Sequence, residues 1–151
     1  MANYQMQLLR EGYDGVSGSY GYSETHRHTP KQYVVLTKIE CEPEDEVLVL
    51  PASDSRGEPL THIGYRESFD AAHEEWADWH HPSKGCDYVP DRYSLDGISL
   101  DIPSHVKRIV IPETVCSVSR CAFAKAEHAI LEVDPRNPWL RIEDNQIVRK
   151  R

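Results

Sequence analysis

Two short apolar alternations, Ile109-Val-Ile-Pro112 and Leu131-Glu-Val-Asp134, constrain the fold of this chain more than any other feature. Their first residues lie 22 positions apart, and each alternation is followed by a turn. A spacing in the twenties is typical of a solenoid that stacks one strand per repeat. A single repeat cannot bury its apolar face alone, so stacking between repeats would stabilise such a fold.

An earlier segment of the chain carries the same order of residues. Six positions correspond in sequence, once an extra loop at 53–58 and one further residue before Phe69 are allowed: Leu48, Leu50, Pro51, Leu60, Ile63 and Phe69 match Ile109, Ile111, Pro112, Val115, Val118 and Phe123. In each copy a strand would present two side chains inward, and a proline would end it. The sequence therefore predicts two repeats separated by an insertion.

The second copy carries a recognisable family pattern in Ile109-Val-Ile-Pro112, Val115-Cys-Ser-Val118 and Ala122-Phe123. An apolar strand that ends in Ile-Pro, a short turn, and a small residue before Phe resemble the BspA-type leucine-rich repeats of bacterial proteins. The resemblance covers residues 106–148 and, less completely, 33–69. It implies a repeat scaffold without naming a partner, and this array is much shorter than is usual in that family.

The other segments suggest how the short array begins, is interrupted and ends. Residues 1–32 are polar and predict a loop or loose hairpin. Strands at 33–39 and 47–50 are rich in β-branched residues and are expected to form a hairpin. The pattern over 69–81 places Phe69, Ala72, Trp76 and Trp79 on one side of a helix. Residues 140–148 predict a closing hairpin that turns at 143–145.

These patterns together predict an α+β, mostly β protein. We expect a short leucine-rich-repeat-like solenoid with hairpin caps and one inserted helix at about 69–81. The chain would form a single domain over 1–151. Its parts would be a polar N-terminal segment (1–32), a hairpin and first repeat (33–69), an inserted helix and loop (70–105), and a second repeat with the closing hairpin (106–151).

Charge and hydropathy exclude several classes of partner. The formal net charge of −8 opposes binding to a phosphate backbone, which depends mainly on Lys and Arg. No apolar run approaches the roughly 20 residues of a membrane span. No basic segment followed by an apolar core precedes residue 33, so no signal peptide is visible and a cytoplasmic location is expected.

The four cysteines, Cys41, Cys86, Cys116 and Cys121, are scattered along the chain. They lack the paired spacing of a zinc site, and a chain of this length does not need disulfides to fold. We expect small, partly buried thiols. A bridge or metal pair between Cys116 and Cys121 is the alternative.

The predicted helix holds the candidate ligands for a metal ion: Glu74, Asp78, His81 and Cys86, with Asp87 in place of Cys86 as a variant. Side chains three or four residues apart on a helix converge on one face. His73 and His80 are about 10 Å apart along the axis and do not share an ion easily. A solvated polar helix face is the competing interpretation. Thr25-His-Arg-His28 could bind a metal ion through alternate histidines of a strand, and a loop is the competing interpretation for that segment.

No nucleophile elbow or glycine-rich phosphate loop is present, so no catalytic residue and no cofactor are predicted. The leading hypothesis is a non-enzymatic module that binds a protein partner or a second copy of itself. Trp76 and Trp79 are candidate contact residues, or else core anchors. The alternative is a metal-binding protein or metal-dependent enzyme that uses residues 73–86. A third hypothesis holds that the repeats merely stabilise the Trp-bearing segment.

Overall fold

The computed structural model describes residues 2–14, 16–19, 22–27, 31–69 and 91–150. These ranges contain β-strands joined by turns and loops, and they contain no helix. The strands are β1 (Asn3–Asp14), β2 (Val16–Ser19), β3 (Tyr22–Arg27), β4 (Lys31–Glu40), β5 (Val47–Val49), β6 (His62–Ile63), β7 (Tyr65–Phe69), β8 (Asp91–Gly97), β9 (Arg108–Ile111), β10 (Ser117–Val118), β11 (Ile130–Val133), β12 (Leu140–Glu143) and β13 (Gln146–Arg149).

The chain divides into two compact units, and the first comprises Met1–Leu8, Tyr33–Arg66 and Gly97–Arg151. One ladder of this unit has the strand order β10-β6-β4-β1. Its strands β4, β6 and β10 are parallel: Leu36 lies opposite Ile63, and Ile63 lies opposite Val118. These short strands therefore stack three segments that are far apart in the sequence.

A second parallel sheet of the first unit has the order β5-β9-β11. Leu48 pairs with Ile109, and Ile109 pairs with Leu131. The correspondence of Leu48 with Ile109 that the sequence predicts is thus confirmed as strand pairing. The side chains of Leu48 and Ile109 are fully buried, and that of Leu131 is 9% exposed.

The core of the first unit lies beneath both parallel ladders. Alternate residues of a strand point to opposite faces of a sheet, so each ladder contributes every second side chain to this core. Turn and loop residues complete it, and Leu60, Leu100 and Val106 are buried there although none belongs to a strand. The core therefore depends on loops as much as on strands.

The C-terminal hairpin forms as the sequence predicts. Strands β12 and β13 are antiparallel, with Glu143 opposite Gln146. Asp144 and Asn145 form the turn and have φ values of 51° and 56°. Two consecutive left-handed residues match the twist of a two-residue hairpin, and Asp and Asn tolerate that conformation better than most residues.

Two asparagine side chains hold the segments around this hairpin. Asn137 is fully buried, and its Nδ2 donates to the carbonyls of Pro112 (3.0 Å) and Val115 (2.8 Å). Asn145 accepts a hydrogen bond from the backbone N–H of Leu131 at 2.8 Å, on the outer edge of β11. The amide of Asn145 therefore occupies an edge that would otherwise need another strand.

The second unit comprises Leu9–Gln32 and Glu67–Asp96. Strands β2 and β3 form an antiparallel hairpin, and the last residues of β1, Gly12–Asp14, pair with β8. The Arg10 guanidinium forms an ion pair with the Glu67 carboxylate at 3.0 Å, and the Arg10 backbone N–H also donates to that carboxylate. The polar segment 1–32 therefore contains strands, and β1 alone has 12 residues.

The fold class predicted from the sequence is wrong. The described residues are all-β and fall into four sheets, instead of an α+β solenoid with one inserted helix. Each parallel ladder stops after three strands. Pairing then becomes antiparallel at β12 and β13, because the left-handed turn at Asp144 and Asn145 reverses the chain at once. Phe69 ends strand β7 rather than beginning a helix, and residues 70–81 lie outside the described residues.

The expected hairpin between residues 33–39 and 47–50 does not form either. Both segments are strands, but β4 pairs with β6 and β5 pairs with β9. Turn residues at 42–46 allow the chain to leave one sheet and enter another, and the pairing partners are chosen by burial over long sequence distances. The segment boundaries at 33, 70 and 106 stay predictions.

Candidate interaction surface

The solvent-facing side of the β5-β9-β11 sheet presents two rows of side chains, and each strand contributes one residue to each row. Val47, Arg108 and Ile130 lie side by side in the first row, because β9 pairs in register with both neighbours. Val49, Val110 and Glu132 form the second row. We call these six residues the outer face.

The outer face exposes large apolar side chains. Val47 is 50% exposed, Val49 is 63% exposed and Ile130 is 56% exposed. Val110, at the centre, is half-buried. Parallel sheets are usually covered on both sides, and their strands are rich in Val and Ile for that reason. This sheet has the composition of a covered sheet, yet one of its faces is open.

Ion pairs lie within and beside the outer face: Arg108 stands between Val47 and Ile130 in the first row, and Glu132 ends the second row. Arg108 contacts Glu132 at 3.2 Å across β9 and β11, and Lys107 contacts Glu46 at 3.4 Å at the start of the sheet. All four side chains are more than two-fifths exposed, so these pairs contribute little to stability. Apolar side chains and an ion-paired arginine therefore share this face, and arginine is enriched at protein–protein interfaces.

A groove of about 480 Å³ continues the outer face toward the C-terminal hairpin. It shares Val110 and Glu132 with that face, and β12 provides its far side through Leu140–Ile142. Lys150 lies at its border, where its ammonium donates to the carbonyl of Asn137 at 2.6 Å. The open apolar surface therefore extends beyond the three parallel strands.

The other parallel ladder carries a buried histidine. His62 is 8% exposed, and its Nδ1 lies 2.8 Å from the Thr61 hydroxyl. The His62 ring lies between two tyrosines, with ring centroids 4.2 Å from Tyr33 and 5.7 Å from Tyr65. Burial lowers the pKa of His62 from its ordinary value, because the charged imidazolium is poorly solvated there.

The phenol of Tyr65 connects this cluster to β10. Its hydroxyl forms a hydrogen bond of 2.6 Å with Ser117, which pairs in register with His62. The arrangement joins four strands, β4, β6, β7 and β10, through aromatic and hydroxyl groups, with the imidazole at its centre. An imidazole held in this way contributes to packing of the ladder, and burial opposes its protonation.

The cysteines of the described chain are thiols. Cys41, Cys116 and Cys121 are free and half-buried. The Cys116 thiol donates to the carbonyl of Thr61 at 3.5 Å, and burial raises its pKa. Cys116 and Cys121 are half-buried, as predicted, and the structure has no bridge between them. Cys86 lies outside the described residues.

The site residues predicted on the helix also lie outside the described residues. They are the candidate metal ligands Glu74, Asp78, His81 and Cys86, with Asp87, and the candidate partner contacts Trp76 and Trp79. Of the segment 25–28, the first three residues belong to β3 and His28 is not described. Within the described ranges, no group of three His, Cys, Asp or Glu side chains is placed to hold a metal ion.

The features of the two ladders differ in how visible they are in the sequence. The alternation of Val47-Leu-Val-Leu50 already indicates that the two valines face away from the core. Ile130 becomes part of the outer face only through its register with Arg108. His62 carries no sequence signal, since a single histidine in a short apolar segment usually has no special role.

Comparisons with protein-family models, curated proteins and solved structures give no significant match for this chain. In the part of the chain that the structure describes, no helix has the length and hydrophobicity required to cross a membrane.

Proposed function

We propose that this protein is a non-catalytic interaction module that binds a partner protein through the outer face. The observation that carries the proposal is the exposure of Val47, Val49 and Ile130 on a parallel sheet. Apolar side chains gathered on one face, with an ion-paired arginine between them, favour contact with another protein.

The size of the outer face indicates what kind of partner it suits. Three strands about 4.8 Å apart, each contributing about four residues at 3.3 Å, present roughly 200 Å². A stable dimer buries about 800 Å² on each partner. The outer face alone is therefore too small for stable self-association, and a partner protein bound transiently, or one that also enters the adjoining groove, fits it better.

The experiment compares capture by the wild-type protein with capture by a variant that carries Val47→Thr, Val49→Thr and Ile130→Thr. Threonine keeps the β-branched shape and removes much of the apolar contact. The control variant is Trp139→Gln, since Trp139 is 44% exposed but does not belong to the outer face. Mass spectrometry of proteins retained from the native host should identify a partner that the triple variant loses and the control keeps.

Light scattering on the same three proteins completes the test. A monomer that retains its partner after the triple substitution would contradict the proposal, because the outer face would then be dispensable. Concentration-dependent dimerisation that the triple substitution abolishes would replace the partner protein with a second copy of the chain.

A further inference from the structure

A groove of about 870 Å³ follows the N-terminal half of β1. Ala2–Leu8 line one side, and the opposite side is formed by Pro51 and Ser53–Arg56. Consecutive residues of a strand point to opposite faces of its sheet, and here seven consecutive residues line the same groove. The groove therefore runs along the edge of the strand and not over one of its faces.

Hydrogen bonds show which edge this is. The Thr37 hydroxyl of β4 donates to the backbone carbonyl of Gln5 at 3.3 Å, so the backbone groups of Gln5 point toward β4. The N–H and C=O of one strand residue point to the same neighbour, and those of the next residue point to the opposite side. The backbone groups of Tyr4, Met6 and Leu8 are therefore directed toward the groove.

Among the described pairings, the edge of β1 that faces away from β4 has a strand partner only near the C-terminal end of β1. Strand β8 pairs with Gly12–Asp14, and the described pairings include no strand on that edge of Asn3–Leu8. Such an edge displays donors and acceptors in the pattern that another strand requires.

The walls of the groove indicate the chemistry of an occupant. Tyr4 and Met6 are half-buried against the core, and Leu8, two positions further on, is 45% exposed. Asp54 and Arg56 form an ion pair at 2.8 Å, and they are the charged residues among those that line the groove. Their opposite charges offset each other, so the lining favours an uncharged ligand with apolar side chains at alternate positions.

We propose that this groove binds an extended, uncharged segment of a partner protein, which adds a strand beside Asn3–Leu8. Main-chain hydrogen bonds to Tyr4, Met6 and Leu8 would supply affinity, and the alternation of apolar side chains would supply specificity. This site uses residues other than those of the outer face, so it stands or fails separately from the function proposed above.

The test uses a heptapeptide that alternates threonine and valine, acetylated and amidated at its ends. Amide hydrogen exchange, followed by NMR on the full chain, should slow at Tyr4, Met6 and Leu8 when the peptide is added. Exchange at Gln5 and Gln7, whose backbone groups point toward β4, should change much less. The matched control is the same peptide with N-methyl groups on the amides of one edge, which should bind at least about tenfold more weakly.

Two protein variants complete the experiment. Leu8→Thr, at an exposed position in the groove, should weaken binding of the heptapeptide several-fold. Val49→Thr makes a similar truncation on the outer face and should leave this binding unchanged. Because Val49 belongs to the face proposed for the partner protein, failure of one proposal is distinguishable from failure of the other.

Three results would overturn the proposal of a peptide-binding edge. The first is unchanged exchange at Tyr4, Met6 and Leu8 at saturating peptide. The second is equal binding of the N-methylated peptide, which would show that backbone pairing is not involved. The third is protection of the same three amides without peptide in a dimeric sample, which would assign the edge to a second copy of the chain.

Discussion

Two parallel ladders pack on the core of the first unit, and they differ on the sides that face away from it. In the β5-β9-β11 sheet, Leu48 and Ile109 point inward, and in the β4-β6-β10 ladder Leu36 and Ile63 do so. All four side chains are fully buried. Stacking of parallel strands therefore produces equivalent inner faces from segments far apart in the sequence.

The opposite faces are not equivalent. The outer face exposes Val47, Val49 and Ile130, whereas Val35 and His62 on the other ladder are buried. A strand that must contribute to a core is constrained at every second residue only. The intervening residues are free to differ, and they distinguish an open apolar surface from a buried aromatic and polar cluster.

The largest expected effect tests the equivalence of the two inner faces. Ile63→Ala and Ile109→Ala should each lower the free energy of unfolding by about 2–5 kcal/mol, because each leaves a cavity in a core without solvent access. Urea unfolding measures both values. Val110→Ala, at a half-buried position of the outer face, should cost much less, and a small effect of Ile63→Ala would show that the ladders do not share the core equally.

A second prediction concerns the close contact beside β6. Gly64 has φ of 79°, and a Cβ there would lie 2.5 Å from the Cβ of Ala122. Gly64→Ala should therefore cost about 2–4 kcal/mol, from both backbone strain and overlap. Gly57 has φ of 86° and open space around it, so Gly57→Ala should cost about 1–2 kcal/mol from strain alone. Equal losses of stability for the two variants, measured by thermal or urea unfolding, would contradict the contribution of the overlap with Ala122.

The third prediction concerns the pH dependence of stability, because His62 lies on only one of the two ladders. The pKa of His62 is lowered by burial in the folded protein, so the unfolded chain takes up a proton first as pH falls. The stability associated with neutral His62 is complete above about pH 6.5 and declines as pH falls below that value.

Urea unfolding at pH 7.5 and at pH 5.5 measures this effect. The wild-type protein should lose more stability between the two values than His62→Gln does, since glutamine does not titrate. Identical losses in the two proteins would show that His62 does not contribute to the pH dependence.

The smallest expected effect is on the outer face. Val49→Thr should change the free energy of unfolding by no more than about 0.5 kcal/mol, because Val49 is 63% exposed. A large loss of stability, measured by urea unfolding, would show that this face stabilises the fold. Its exposed apolar side chains would then no longer point to a partner protein.

Local pattern explains which parts of the fold were predictable. The alternations at 109–111 and 131–133 and the Asp144-Asn145 turn depend on neighbouring residues, and the structure has a strand or hairpin at each. The hairpin expected from 33–50 failed because partner choice is nonlocal: β5 pairs with β9, about sixty residues later. Polar composition likewise concealed β1, whose first residues, Asn3–Gln7, are alternately exposed and half-buried.

The sequence by itself determined the strand alternations of the repeats, the place of the turn in the C-terminal hairpin and the valines that face away from the core. These follow from side-chain direction and backbone preference, which act over a few residues. Only the tertiary structure decided which strands pair, that Ile130 joins Val47 and Val49, and that His62 is buried between two tyrosines. Burial is shared among distant segments, so no local pattern records it.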